Sequence, residues 1–187
     1  MVLTSDFPEP LAIITHLLSL GFSSFSITPI RPGAKNSFSE SNIAFLLNGY
    51  DKLYEKLKKD SLKQNFVLFK MLQEDLSLAA FNFFISRTKQ LKRCSFDNQI
   101  VIDSKGDVYP CLYFVNHNNL VFQRANCKDC WARYLCGGTC FYGSYKFTGN
   151  HLNIEPIECI IRKHLAQKCL ELLVFMREHN INIYQIY

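Results

Sequence analysis

The sequence predicts an α+β fold, in which helices and short strands occupy different parts of the chain. Three observations support this prediction: apolar residues at helical spacing in the N-terminal half, two β-prone segments flanking a glycine turn at Gly106, and a last amphipathic stretch after Cys159. The protein has 187 residues, of which 48% are hydrophobic and 14% aromatic. This is ample for a packed core, and the length fits one or two domains.

The first 30 residues predict one helix followed by one strand. Residues 10 to 20 form an apolar stretch that ends at Gly21, a helix stop, and Phe25 to Thr28 form a β-prone run before the turn PIRPG. No charged residue occurs over the 21 residues from Pro10 to Ile30. We interpret this segment as buried core and not as a membrane span, because proline, glycine and histidine break it into helix, turn and strand.

Two amphipathic helices are predicted next. The first runs from Ser39, a candidate cap, to Lys59, and the second from Phe66 to Phe83. The basic run KLKKD lies at the end of the first helix and is interpreted as a solvated face. Since the net charge of +5 is modest and the Lys and Arg residues are scattered, the composition predicts no nucleic-acid partner.

The chain changes character from residue 94 onward. Two β-prone segments, Gln99 to Asp103 and Asp107 to Cys111, flank the turn SKGD and predict a hairpin, because Gly106 can adopt the positive φ that a tight turn requires. After Cys159, apolar residues at helical spacing predict a terminal helix. Its apolar stripe comprises Ile161, Leu165, Cys169, Leu172, Leu173 and Met176.

Seven of the eight cysteines follow a single spacing pattern, C-x11-G-x4-C, a gap, C-x2-C-x5-C-x3-C, a second gap, and C. No signal peptide is visible, since the N-terminus carries acids in place of a basic segment, so we expect a cytoplasmic protein with reduced thiols. Cysteines at such spacing then indicate metal or iron–sulfur chemistry. They are Cys94, Cys111, Cys127, Cys130, Cys136, Cys140 and Cys159.

This pattern, with the strings GDVYPC and CKDCWARYLCGGTC, closely resembles the SPASM domain. That domain is the C-terminal extension that binds auxiliary 4Fe-4S clusters in radical SAM enzymes maturing peptides, sulfatases and quinone cofactors. The resemblance covers about residues 94 to 175. A radical SAM core also requires a C-x3-C-x2-C loop, and no cysteine precedes Cys94. The resemblance therefore implies that this chain is a portion of a maturase and is not active alone. S-adenosylmethionine would bind to a radical SAM core that is on a separate chain or is missing.

The resemblance also implies a domain organisation. Residues 1–93 resemble the last helix–strand units of a radical SAM barrel with a helical linker, and residues 94–187 a SPASM-like twin 4Fe-4S domain, built from a hairpin, loops and a C-terminal helix. Residues 1–93 are too few to close such a barrel, so we interpret them as a remnant. A small helical cap on the cluster domain is the alternative.

The resemblance implies two auxiliary 4Fe-4S clusters with interleaved ligands. The first cluster takes the first two cysteines and the last of the central run, and the second takes the others. The implied sets are Cys94, Cys111 and Cys140 for the first cluster, and Cys127, Cys130, Cys136 and Cys159 for the second.

The first set is one ligand short. Sulfatase-maturing relatives supply an extra cysteine and an aspartate where this chain has Ile100 and Leu112, so the resemblance favours thioether-forming peptide maturases. In some of these, an open iron binds a substrate thiolate. Cys169 could close the site, but its place on the apolar stripe is typical of a core thiol, and we interpret it so.

Three functions follow from the pattern. The first is the auxiliary cluster-binding portion of a radical SAM peptide maturase, which transfers electrons, binds a cysteine-containing substrate peptide and has a radical SAM core subunit as a possible partner. The second is a stand-alone iron–sulfur electron-transfer or adaptor module. The third is a zinc-stabilised interaction domain, because the central run could also hold one Zn²⁺. No membrane partner is predicted, and no catalytic residue is assigned.

Overall fold

The protein mixes α-helices with two small sheets. The computed structural model describes residues 2–30, 33–72, 75–78, 81, 101–109, 112, 115, 127, 129–136 and 138–185. Within these ranges each sheet has two strands, and helices make up most of the regular structure. The predicted α+β class is therefore confirmed at this level.

The N-terminal unit is a strand, a helix and a second strand. Strand β1 (Val2–Leu3) pairs in parallel with β2 (Thr28–Pro29), and α1 (Pro10–Ser19) connects them. The helix ends before Gly21, whose φ is +83°, as predicted for a helix stop. The predicted strand over Phe25 to Thr28 starts only at Thr28, because the N–H of Ile27 donates to the Asp75 carboxylate at 2.6 Å.

Helix α2 (Ile43–Leu62) supplies much of the core. Its apolar stripe is buried as predicted, with Leu46, Tyr50, Leu53 and Leu57 each at most 1% exposed. The predicted cap was wrong, because Ser39 lies in the preceding turn, where its N–H donates to the Asn42 side chain at 2.7 Å.

The second predicted amphipathic helix is interrupted. Helix α3 covers only Val67–Met71, and a 3₁₀ turn follows at Leu76–Leu78. Asp75 stabilises the 3₁₀ turn, because its carboxylate accepts from the Ser77 N–H at 2.9 Å and from the Ile27 N–H. Phe81 is fully buried, whereas residues 82 to 100, including Phe83, lie outside the described residues.

The predicted hairpin is confirmed. Strand β3 (Val101–Ile102) pairs antiparallel with β4 (Val108–Tyr109). Gly106 has a φ of +85° in the connecting turn, and the Asp103 side chain accepts from two turn N–H groups at 2.9 and 3.0 Å. The turn chemistry and the glycine together account for the reversal of the chain.

Among the described residues after the hairpin, three α-helices follow: α4 (Arg133–Cys136), α5 (Phe141–Thr148) and α6 (Pro156–Glu178), with a 3₁₀ turn at Ile183–Gln185. The terminal helix was predicted to follow Cys159, but it begins three residues earlier, because Pro156 suits its first turn and the Glu155 side chain accepts from the Ile157 N–H at 2.9 Å. Its predicted stripe is buried except for Leu173, which is partly buried.

Helices α2 and α6 pack against each other and share one hydrophobic core. The core also receives Phe69 from α3 and Ala132 from the segment before α4. The domain boundary predicted at 93–94 lies outside the described residues and stays a prediction. None of the helices in the described ranges is both long and apolar enough to cross a membrane.

Candidate metal centre

Three cysteines lie on consecutive turns that lead into and through α4. The Cys130 N–H donates to the Cys127 carbonyl at 3.3 Å, and the Cys136 N–H donates to the Ala132 carbonyl at 2.8 Å. Ala132 is fully buried and fastens this segment to the core, while all three cysteines are half-buried. The segment therefore holds its thiols at the border between the core and solvent.

Cys159 approaches these thiols from another part of the chain. It lies in the first turn of α6, which packs against α4. Burial raises the pKa of the Cys159 thiol, the nearby Lys163 lowers it, and the thiols of Cys136, Cys130 and Cys127 raise it. Such mutual influence requires proximity. Folding therefore brings Cys159 within electrostatic range of the three other cysteines that the resemblance implies for the second cluster.

Cys140 occupies the N-cap of α5, beside α6. Its Sγ accepts from the Gly143 N–H at 3.5 Å, and its own N–H donates to the Glu158 carboxylate at 3.3 and 3.4 Å. Because Glu158 directly precedes Cys159, the ligands assigned to different clusters are linked through this carboxylate.

The other residues predicted for the first cluster are not described. Cys94 and Cys111 both lie outside the described residues, as does Ile100. The predicted interleaving of the two ligand sets, and the open position of the first cluster, therefore stay predictions. Leu112 is described and is 67% exposed.

Cys169 lies in the hydrophobic core. It is fully buried, its Sγ is 3.2 Å from the Tyr54 hydroxyl, and it donates to the Ser77 carbonyl at 3.4 Å. A thiol hydrogen-bonded and enclosed in this way behaves as a small core residue. The placement agrees with the core interpretation of Cys169.

The spacing of the four grouped thiols bears on what they could hold. Among the described residues, no group of three or more His, Cys, Asp or Glu side chains could hold a metal ion. A single Zn²⁺ draws its thiolates to roughly 4 Å from one another, since each Zn–S bond is about 2.3 Å. A 4Fe-4S cluster binds each thiolate through a different iron and sets them further apart. The three other thiols act electrostatically on Cys159, but the described side chains do not form a finished metal site, so this arrangement does not distinguish between zinc and a 4Fe-4S cluster.

Glu155 and Glu158, the polar residues that organise the start of α6, were not predicted from the sequence. Glu155 caps the helix, and Glu158 accepts from Cys140 and pairs with Arg162. The string EPIE was an available signal, because an acidic residue followed by proline is a common helix start. The contact between Glu158 and Cys140 could not be predicted from a local sequence pattern, because the two residues lie in different segments of the chain.

The candidate metal centre comprises the Cys159 thiol and, within its electrostatic range, the thiols of Cys127, Cys130 and Cys136 and the positive charge of Lys163. Thiolate ligands suit zinc and iron–sulfur clusters. No protein-family model matches the chain, and no curated protein matches it at a significant level. Support for the site therefore comes from these residues.

Proposed function

We propose that this chain is the auxiliary iron–sulfur cluster-binding portion of a radical SAM peptide maturase, of the SPASM type. The observation that supports the proposal is that Cys159 lies within electrostatic range of Cys127, Cys130 and Cys136, the other three members of one implied ligand set.

The residues around Cys159 suit an anionic ligand group. Four thiolates around an oxidised 4Fe-4S core leave a charge of about −2. Cys159 lies in the first turn of α6, where the helix dipole favours negative charge, and Lys163 lies within electrostatic range of its thiol. Burial nevertheless raises the pKa of the Cys159 thiol, so cluster binding would have to displace its proton, and the helix dipole and Lys163 would stabilise the thiolate that forms.

The proposal assigns the two clusters different roles. When bound, they would supply electron transfer and, at an open iron of the first cluster, a position for the thiolate of a cysteine-containing substrate peptide. Cys94, Cys111 and Cys140 would hold the first cluster, and a radical SAM core on another chain would generate the radical. The protein would act in the cytoplasm.

The N-terminal unit supports the barrel-remnant part of the proposal. A parallel strand pair joined by a helix, as in β1–α1–β2, is the repeating unit of β/α barrels. Residues 1–93 would then be the remnant and linker, and residues 94–187 the twin-cluster domain. The unit is common to many α/β folds, so the cysteines carry the functional assignment.

The test is the metal content of the chain after anaerobic reconstitution. Two 4Fe-4S clusters give about eight irons and eight sulfides per chain, with absorbance in the visible range. The variant Cys159→Ala removes one ligand of the second cluster and is expected to lower the iron content towards about four. The matched control is Cys169→Ala, which removes a thiol from the same helix without touching the site.

Each outcome has a distinct meaning. Stoichiometric zinc without sulfide would contradict the proposal in favour of a zinc-stabilised interaction domain. If two clusters bind but their spectra do not change when a cysteine-containing peptide or a radical SAM core subunit is added, the stand-alone electron-transfer or adaptor module would be favoured. An unchanged iron content in Cys159→Ala would remove Cys159 from the ligand set.

A further inference from the structure

Glu158 connects the two cysteine groups of the candidate metal centre. Its carboxylate accepts from the Cys140 backbone N–H at 3.3 and 3.4 Å, and its own backbone leads directly into Cys159. A Cβ placed on Gly143 would lie 3.9 Å from both the Glu158 Oε2 and the Cys140 Sγ. The Glu158 carboxylate and the Cys140 Sγ therefore both lie near Gly143.

Arg162 holds the Glu158 carboxylate in place. Its Nε donates to Oε1 at 2.8 Å, and its Nη2 donates to the same oxygen. The two side chains are only 11% and 20% exposed. A charge-assisted hydrogen bond of this kind is roughly twice as strong as a neutral one. Partial burial also protects the pair from screening by salt, so Glu158 has little freedom to turn away from Cys140.

The Arg162 guanidinium has a further N–H donor group, at Nη1, next to its bonds with Glu158. Nη1 of Arg162 is buried, and no residue in the described ranges pairs with it. Leaving a buried donor unsatisfied costs about 1–3 kcal/mol. A negatively charged cluster bound nearby would offset this cost through its electrostatic attraction for the guanidinium.

We propose that Glu158 and Arg162 form a positioning pair that orients Cys140 as a ligand of the first cluster and fixes it relative to the second. This inference rests on the proposed function, because Cys140 has such a role only if it is a cluster ligand. The direction of a thiolate depends on the backbone that carries it. Without the carboxylate, the Cys140 N–H loses its acceptor, and within the described part of the chain its Sγ keeps the 3.5 Å contact with the Gly143 N–H.

The test compares three variants of the full chain after anaerobic reconstitution. Glu158→Ala removes the acceptor, and we expect iron to fall from about eight towards about four per chain. Glu158→Gln keeps an oxygen that can accept from the Cys140 N–H, so it is expected to rescue cluster binding. The control, Glu171→Ala, removes a partly exposed carboxylate from the same helix, where it pairs with Lys168, and should bind both clusters as the wild type does.

Electron paramagnetic resonance of the reduced protein identifies the cluster that is lost. Glu158→Ala and Cys140→Ala should lose the same signal, while Cys159→Ala loses the other. In Glu158→Gln the Arg162 charge is no longer balanced, so the midpoint potential of the retained first cluster should move to a more positive value than in the wild type. A purely structural role would not produce this shift.

Three results would overturn the inference. If the wild type binds two clusters and Glu158→Ala keeps both with unchanged spectra, the pair does not position Cys140, and the proposed function stands. If Glu158→Ala loses both clusters together with its helical circular dichroism, the pair serves folding alone. If the wild type binds no sulfide, the proposed function fails, and this inference fails with it.

Discussion

Gly49 offers a direct test of how α1 packs against α2. A Cβ built at this position would lie 2.6 Å from the Pro8 carbonyl oxygen and 2.8 Å from the Pro10 Cδ. Ordinary contacts begin near 3.4 Å, so Gly49→Ala must push the two segments apart by about 0.8 Å or strain them. Because one of the atoms is backbone, rotation of a side chain cannot relieve the overlap.

The expected loss of stability can be worked from two opposing effects. Overpacking of this kind costs about 1–3 kcal/mol, whereas replacing a helical glycine with alanine gains about 1 kcal/mol. Because backbone must move, we expect the overpacking cost to lie in the upper part of its range, at about 2–3 kcal/mol. Subtracting the gain of about 1 kcal/mol leaves a net loss of about 1–2 kcal/mol in the free energy of unfolding. We would measure it by urea denaturation of the metal-free chain, as a lower midpoint with an unchanged slope.

Gly143 supplies the matched control, because it is also helical and has a non-positive φ. Its Cβ would meet neighbours at 3.5 to 3.9 Å, which is ordinary contact. Gly143→Ala should therefore leave stability unchanged or raise it by up to about 1 kcal/mol. If Gly49→Ala proves as stable as the wild type, the close approach of α2 to the start of α1 is refuted.

Further predictions concern the buried tyrosines of α2. Tyr54→Phe should cost about 1–3 kcal/mol in urea denaturation, because the Tyr54 hydroxyl bonds the Ser77 carbonyl and lies 3.2 Å from both the Leu165 carbonyl and the Cys169 Sγ. Tyr50→Phe should be neutral or stabilising, since the buried Tyr50 hydroxyl has no partner within the described part of the chain; a large loss would contradict this. Burial raises the pKa of both tyrosines. A raised folded-state pKa gives stability that is complete below the unfolded pKa of about 10 and declines above it, so the free energy of unfolding should fall from about pH 10 upwards, less steeply in Tyr50→Phe.

The elements that could be predicted are those whose signals are local. The stripes of α2 and α6 repeat an apolar residue every three or four positions, and burial follows that period in both helices. The turn at Gly106 was equally readable, because positive φ selects glycine. Helix ends were less predictable: Ser39 does not cap α2, because a different local hydrogen bond, from its N–H to Asn42, takes precedence.

The interruption at Asp75 could not be read from the amphipathic pattern. Apolar spacing continues through this region, but a carboxylate 2% exposed accepts from Ser77 and from Ile27 of the distant N-terminal unit. A helix continued through residue 75 would leave this buried carboxylate without those donors, which is costly. The long-range hydrogen bond therefore overrides the local helical tendency.

The sequence by itself determined which cysteines are candidate metal ligands and which helices have a buried face, since spacing and apolar period are properties of consecutive residues. Only the tertiary structure decided that Cys159 lies beside the thiols of the α4 segment and that Glu158 reaches Cys140. These contacts join segments separated along the chain. They form because α6 is packed against both α2 and α4, and the shared core sets the place of its first turn.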